Sequence, residues 1–194
     1  MKTLFLLIFL GLGGNIFVPA HAKSKPRGGQ NYYVDAQNGD DRADGKSEKT
    51  AWKSLLRTKE LQLRAGDSLL LRRNSSFNGL LEVSAEGKAG RPVVIGAYGT
   101  GRKPCIQAPD SSLYTVLVRN SDYLTLENLE VVNTGKQRMA NRTGVKVLCE
   151  DSGVSHDIVL RALHHHAVNG SLIKPKGEGS SILITTRGNT PPST

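Results

Sequence analysis

Several basic and imidazole side chains stand close together late in the sequence and could carry acid–base chemistry. The group comprises Arg161, His164, His166, Lys174, Lys176 and the acidic Glu178. A lysine, arginine or histidine beside a substrate can remove a proton from the carbon next to a carboxylate. A cation that neutralises the carboxylate assists this reaction, and Ca²⁺ held by carboxylate and carbonyl oxygens can serve. Ca²⁺ is therefore a candidate cofactor.

Roles within this group follow from its chemistry. The predicted catalytic residues are Arg161, His166, Lys174 and Lys176. The predicted substrate-binding residues are Arg161, His164 and Glu178. The glycines in residues 170–179 would hold the loop that carries the two lysines close to the preceding strand. The plain alternative is that both lysines are solvated loop residues.

Two outward carboxylates offer a second chemistry. An inverting glycoside hydrolase uses one carboxylic acid and one carboxylate on opposite sides of a glycosidic bond. Glu127 and Glu130 are the pair that comes nearest to this pattern, whereas Asp157 stands alone. The sequence therefore favours the basic group over the carboxylate pair.

The three consecutive histidines also have a structural interpretation. Strand alternation places His164 and His166 outwards and His165 inwards, at the position that Val131 holds in an earlier strand. A core-facing, hydrogen-bonded histidine is expected there. His164 and His166 could share a metal ion, but no third ligand stands at a suggestive spacing, so no metal site is predicted.

An apolar pattern that occurs twice indicates the elements that position these side chains. Leu124, Leu126 and Leu129 recur as Ile158, Leu160 and Leu163, each 34 positions later. Each copy is a short alternating strand, a polar corner and a second short strand. Repetition of such a unit is typical of a solenoid whose turns stack to build a shared core. Functional side chains then lie on the outer face.

Short apolar runs recur through most of the chain and are separated by turn residues. Predicted strands cover residues 32–34, 68–71, 80–83, 93–95, 105–106, 115–118, 124–126, 129–132, 145–148, 158–160, 163–166 and 182–184. This amounts to three strands in each turn of the solenoid. A helix is predicted from Thr50 to about Glu60, because Trp52, Leu55 and Leu56 have helical spacing.

The N-terminus reads as a secretion signal. Lys2 precedes an apolar stretch over residues 4–12, and a small-residue cleavage site covers residues 20–22. Such a stretch is too short to span a membrane, and the protein is predicted to be secreted to the periplasm or the cell exterior. The predicted divisions are a signal peptide (1–22), a disordered basic linker (23–30), an N-terminal cap (31–66), solenoid turns (67–187) and a tail (188–194).

Charge and cysteine content limit the partners. The formal net charge of +9 favours an anionic partner, such as an acidic polysaccharide, a cell envelope polymer or nucleic acid, and secretion argues against nucleic acid. An acidic polysaccharide is the predicted partner. The protein is predicted to be a monomer. Cys105 and Cys149 could form one disulfide or remain two buried thiols, and their spacing fits no zinc site.

Four sequence segments carry a resemblance to a known family. They are YYVDxxNGDD (32–41), AWKSL (51–55), LxAGDSLLL (63–71) and GRPVVIGAYG (90–99). They resemble the N-terminus of secreted right-handed parallel β-helix proteins of the pectate lyase-like group of polysaccharide lyases and hydrolases. The resemblance implies an all-β solenoid whose first turn is covered by a short capping helix, here the Trp52 helix.

The same resemblance implies a function. A lyase acting on an acidic polysaccharide is the leading interpretation. The alternatives are a non-catalytic glycan-binding or structural module, and an inverting glycoside hydrolase. Members of this group usually have more turns, and the present sequence ends soon after Ile184, so a truncated form is expected.

Overall fold

The computed structural model describes residues 28–151, 154–173, 177 and 179–188. These residues form fifteen strands and two short 3₁₀ helices. The prediction of an all-β protein is confirmed. Among the described residues, no helix is long and apolar enough to cross a membrane.

The strands are short and follow the turn residues of the sequence. Three of them, β2, β4 and β6, lie outside the predicted strands. Their bounds are β1 Asn31–Val34, β2 Leu63–Arg64, β3 Ser68–Arg72, β4 Ser76–Asn78, β5 Leu81–Val83, β6 Ala85–Glu86, β7 Val93–Tyr98, β8 Cys105–Gln107, β9 Tyr114–Arg119, β10 Leu124–Glu127, β11 Glu130–Asn133, β12 Thr143–Glu150, β13 Ile158–Arg161, β14 His164–Val168 and β15 Ser180–Arg187.

Three parallel sheets contain most of these strands. The first sheet has the order β1-β3-β7-β10-β13, the second β4-β8-β11-β14 and the third β5-β9-β12-β15, while β2 and β6 form a small separate pair. From β7 onwards, consecutive strands enter the first, second and third sheets in turn. Residues one turn apart in sequence therefore become neighbours in one sheet.

The predicted register of the repeat is confirmed. Leu124 pairs with Ile158 and Leu126 with Leu160 in parallel strands of the first sheet. Leu124 and Leu126 are fully buried. Because successive side chains of a strand point to opposite faces, Glu127 lies on the outer face of this sheet.

One apolar cluster takes residues from all three sheets. Val93 and Ile95 come from the first sheet, Ile106 from the second, and Val116 and Val145 from the third, and all five are fully buried. Each such aliphatic side chain contributes about 1.5–3 kcal/mol through its removal from water. This shared core holds the outer faces in fixed positions.

A left-handed corner joins the first and second sheets. Asn128, between β10 and β11, has a φ of 57°, and Ala162, between β13 and β14, has a φ of 50°. Asparagine adopts this conformation at lower cost than other side chains, while alanine has no such advantage. The corner directs Glu127 and Glu130 onto two adjoining outer faces.

The predicted capping helix is wrong. Two 3₁₀ helices, Glu48–Thr50 and Leu55–Glu60, replace it, with Ser47 and Ser54 as N-caps. Trp52 lies between them in a bridge to Val34 of β1, which interrupts any continuous helix.

Apolar spacing nevertheless identified part of the core in this segment. Trp52 and Leu55 are each only 4% exposed, whereas Leu56 is 70% exposed. In a continuous α-helix, Leu55 and Leu56 would share the buried face at i+3 and i+4 from Trp52. The 3₁₀ turns separate them.

Other predictions are only partly covered by the described residues. The signal peptide, the linker up to residue 27 and the tail beyond residue 188 lie outside them. The division at residues 66 and 67 stays a prediction, although β1 pairs with β3 in the first sheet. Cys105 and Cys149 are both half-buried, lie in different sheets and form no disulfide with each other.

Candidate functional site

The outer faces on either side of the Asn128 corner bring five polar side chains together. We call this group the outer strip: Glu127, Glu130, Arg161, His164 and His166. In the first sheet Glu127 pairs with Arg161, and in the second sheet Glu130 pairs with His164 while Val132 pairs with His166. The strip thus combines two carboxylates from one turn with three basic groups from the next.

Arg161 and Glu127 form an ion pair across β10 and β13. The Nε of Arg161 donates a hydrogen bond to Oε2 of Glu127. The arginine side chain is largely exposed and the glutamate side chain is mostly covered. Arg161 therefore balances the charge of Glu127, and its Nε–H is engaged by that carboxylate.

Glu130 is the centre of a second group of contacts. His166 Nε2 lies 2.8 Å from Glu130 Oε1, and the rings of His164 and His166 lie 4.7 Å apart between centroids. The hydrogen bond from His166 lowers the pKa of Glu130 more than partial burial raises it, so Glu130 is a carboxylate at neutral pH.

Cys105 lies beside Glu130, since the two residues pair in the register of β8 and β11. Burial, followed by the charge of Glu130, raises the pKa of Cys105 to about 11, so the thiol keeps its proton. Glu130 thus has the Cys105 thiol on one side and the His166 ring on the other.

Glu130 is a third possible metal ligand beside His164 and His166, and the sequence analysis missed it. One ligand atom each from Glu130, His164 and His166 lies within 4.8 Å of the others. The prediction of no metal site counted spacing along the chain only. The 34-residue repeat contained the signal, since it aligns Glu130 with His164.

His165 points inwards as predicted, but it lacks the expected hydrogen bond. It pairs with Val131 and is half-buried, and within the described part of the chain neither ring nitrogen has a hydrogen-bond partner. Burial lowers the pKa of His165, and the neighbouring His164 lowers it further. A neutral ring is therefore favoured.

The structure brings Arg161, His164 and His166 into one strip. Lys174, Lys176 and Glu178 lie outside the described residues. The predicted functional roles of all six residues stay predictions. Asp157 is exposed at a turn position with a φ of 46°.

A second surface, which the sequence analysis did not find, lies on the outer face of the third sheet. We call it the Tyr114 groove. Two adjoining depressions, of about 290 and 330 Å³, share Tyr114 as a wall. The first also contains Glu82, Leu117 and Arg119, and the second Lys146, Leu183 and Arg187.

Polar contacts organise the Tyr114 groove. The hydroxyl of Tyr114 donates to Oε1 of Glu82 at 2.8 Å, and Lys59 Nζ lies 3.3 Å from Oε2 of the same carboxylate. Burial and the Glu82 carboxylate raise the pKa of Tyr114. Glu150 accepts from Arg187 at 3.2 Å and lies 3.7 Å from Arg119. An aromatic ring and fixed polar groups are typical of small-molecule sites.

Comparison with known proteins identifies relatives. No family model matches this chain. The lacto-N-biosidase of Bifidobacterium longum subsp. longum is 28% identical over 196 residues, which covers 74% of this chain and 12% of that protein.

Solved structures give the same result. The crystal structure of the GH136 lacto-N-biosidase from Eubacterium ramulus has a TM-score of 0.71 and 32% identity, and its selenomethionine derivative has a TM-score of 0.69 and 30% identity. Each match covers 81% of this chain and 30% of the solved chain.

These relatives correct the sequence analysis. The assignment to the pectate lyase-like group is wrong, and so is the lyase interpretation, because the relatives are glycoside hydrolases. The hydrolase alternative agrees better with them. The segments over residues 32–99 indicated parallel strands, and that feature does not distinguish lyases from hydrolases. The chain is similar in sequence and fold to a part of the lacto-N-biosidases.

Proposed function

We propose that this chain is part of a secreted glycoside hydrolase of the lacto-N-biosidase kind. We further propose that its three parallel sheets are the faces of a right-handed parallel β-helix. The observation that carries both proposals is the match to the Eubacterium ramulus enzyme, with 32% identity and a TM-score of 0.71. The rotation of consecutive strands through the three sheets supports the β-helix.

The charges of the outer strip favour a neutral glycan over an acidic one, because Arg161 is paired with Glu127 and Glu130 adds a second carboxylate. In the Tyr114 groove Glu82 is paired with Lys59, and Glu150 lies between Arg119 and Arg187. Lys146 and the second arginine beside Glu150 leave this groove with positive charge. Their remaining N–H groups can still bind sugar hydroxyls.

The Tyr114 groove is the surface that we assign to glycan contact. The ring of Tyr114 stands between the two depressions, and Leu117 and Leu183 provide apolar surface beside it. A sugar ring has an apolar face and an edge of hydroxyls, so it matches an aromatic wall with carboxylate and guanidinium groups around it.

Glu130 suits the ionised carboxylate of a hydrolase better than the proton donor. A general acid needs a raised pKa, whereas the hydrogen bond from His166 lowers the pKa of Glu130. Glu130 is accordingly proposed as an ionised group, with no role as the general acid.

Binding and hydrolysis are tested on purified chain with lacto-N-biose and its p-nitrophenyl glycoside, and with polygalacturonate as the acidic comparison. We expect saturable binding of lacto-N-biose, weakened at least tenfold by Tyr114→Ala and less by Tyr114→Phe, which keeps the ring. Arg42→Ala, an exposed change in the N-terminal loop, is the control. Polygalacturonate binding without lacto-N-biose binding would contradict the proposal of a neutral glycan. Absence of both binding and hydrolysis would contradict the glycosidase proposal.

A further inference from the structure

We propose that Glu130, His164 and His166 bind one Zn²⁺ ion on the outer face of the second sheet. The inference is independent of the proposed glycosidase activity. It rests on the arrangement of three side chains from two adjacent strands, β11 and β14.

The strand register creates the arrangement. Glu130 pairs directly with His164, and His166 lies two residues further along β14 on the same face. The two imidazole rings lie 4.7 Å apart between centroids, tilted by 32°. The carboxylate of Glu130 reaches His166 at 2.8 Å. A parallel sheet therefore presents the three groups together without any loop.

The distances are close to those that a metal requires. Around a tetrahedral Zn²⁺ with bonds of about 2.0–2.1 Å, neighbouring ligand atoms lie roughly 3.3 Å apart. The three candidate atoms already lie within 4.8 Å of one another. Rotation of exposed histidine side chains can supply the remaining adjustment, because neither ring is packed in the core.

The donor set favours Zn²⁺ over Ca²⁺. Two imidazole nitrogens and one carboxylate match the three protein ligands of many zinc sites that keep a fourth position open. Ca²⁺ prefers six to eight oxygen ligands, and this cluster supplies one carboxylate. Zn²⁺ would take the place of the proton on Nε2 of His166. In a neutral ring that proton would move to Nδ1 by exchange with solvent, and a protonated ring would release one proton.

The surroundings keep the neighbouring cations engaged. Cys105 lies beside Glu130 in the adjacent strand β8 and carries no charge to compete with the metal. Arg161 is paired with Glu127, and Lys103 Nζ donates to the carbonyl of Ala162 at 2.6 Å. Each of these neighbouring cations thus has a partner other than Glu130.

The ion would connect β14 to β11. In the part of the chain that the structure describes, β14 is the last strand of the second sheet. A bond from the metal to each strand would stabilise that edge. The open position would accept water or an oxygen of a ligand.

Calorimetric titration of ZnCl₂ into the untagged chain tests the site. We expect one ion per chain, and at least tenfold weaker binding for each of Glu130→Gln, His164→Gln and His166→Gln. His156→Gln is the matched control, because His156 makes a similar 3.0 Å contact with Asp122 without a second imidazole in the described residues. CaCl₂ should bind no more tightly to the parent than to His166→Gln.

A second measurement requires no variant. Zn²⁺ should shift the NMR resonances of the His164 and His166 rings and leave those of His156 in place, and it should raise the melting temperature. No Zn²⁺ binding, equal binding by the His164→Gln, His166→Gln double variant, or shifts confined to His156 would overturn the proposal.

Discussion

At the scale of single residues, His165 links the stability of this protein to pH. Its ring lies in the inward position that Val131 holds one turn earlier, and neither nitrogen has a hydrogen-bond partner among the described residues. Gly144 lies against it, since a Cβ at Gly144 would come within 3.4 Å of Nδ1. The neutral ring is therefore favoured over the charged ring at this position.

His165→Val should stabilise the protein and reduce its sensitivity to mild acid. The folded-state pKa of His165 is lowered, so below the ordinary histidine pKa of about 6.5 the unfolded chain binds this proton more readily. The free energy of unfolding of the parent should therefore fall as pH decreases from 7 to 5. Because His165→Val removes two unsatisfied nitrogens, it should raise the free energy of unfolding by roughly 1 kcal/mol at pH 7.

Urea unfolding of parent and His165→Val at pH 7, 6 and 5 measures both effects. Val131→Ala leaves position 165 intact and is the control for the slope of the unfolding free energy against pH. Parallel pH curves for parent and His165→Val would contradict the role of this ring.

At the scale of elements, Arg142 joins three loops. It is 2% exposed, and its guanidinium donates to Asn169 Oδ1 at 2.9 Å and to the carbonyl of Asp110 at 2.6 Å. Asn169 in turn donates to the carbonyl of Gly135 and accepts from its N–H. One planar cation thus satisfies backbone and amide acceptors from successive turns.

Arg142→Ala should lower the free energy of unfolding by roughly 2–4 kcal/mol, because it leaves buried acceptors without donors. Arg142→Lys should recover only part of this, since a single ammonium cannot reproduce the planar fork. Thermal unfolding checks both variants. Full recovery by lysine would show that charge alone matters here.

Trp52 fixes the N-terminal segment to the first sheet. Its ring stacks on Tyr32 at 5.7 Å, and Nε1 donates to the carbonyl of Ala43 at 2.9 Å. Gly45, with a φ of 69°, lies so close to the indole that a Cβ would come within 2.4 Å of it. Side chain, loop and strand are therefore packed as one unit.

Trp52→Ala should lower the free energy of unfolding by about 3–5 kcal/mol, as expected for truncation of a core aromatic side chain. Leu56→Ala is the control and should cost little, because Leu56 is mostly exposed. Chemical denaturation distinguishes the two. Equal losses of stability in the two variants would mean that the buried side of this segment has been assigned incorrectly.

At the scale of the whole molecule, one apolar row is exposed within the part of the chain that the structure describes. Ile182 and Ile184 of β15 continue the buried rows of Val145 and Val147, yet Ile184 is 71% exposed. Within the described residues β15 is the outermost strand of the third sheet. An exposed apolar edge strand promotes pairing with other chains.

Ile184→Lys should reduce concentration-dependent association, because a charge on an edge strand opposes strand pairing. Light scattering of the purified chain over a range of concentrations gives the comparison. Thr185→Lys, on the adjacent position of the same strand, controls for added charge. Association that is equally strong in the Ile184→Lys variant would exclude β15 as its cause.

Secretion is tested on the whole chain. Expression with an export pathway should yield a product whose N-terminus is Lys23, if the small residues at 20–22 are the cleavage site. N-terminal sequencing or intact mass measures this. An exported product that still starts at Met1 would contradict a cleaved signal.

Sequence periodicity determined the interior of this protein. The 34-residue offset and the alternation of apolar residues predicted that Leu126 pairs with Leu160, because burial of one strand face restricts residue type and register together. The same reasoning placed His165 inwards. The short strands β2, β4 and β6 were missed, because each contains a single apolar residue and so shows no alternation.

The outer surface was decided by tertiary structure. Solvated positions accept most residue types, so spacing along the chain carried little information about them. It did not indicate that Glu130 lies between Cys105 and His166, or that Tyr114 donates a hydrogen bond to Glu82. The lyase interpretation was mistaken because one fold can carry several activities, and activity depends on outward groups that the core does not constrain. Periodicity determined the core because burial is local to each strand. The sites required the three-dimensional structure, because they join side chains from strands that are distant in sequence and become neighbours only in the folded sheets.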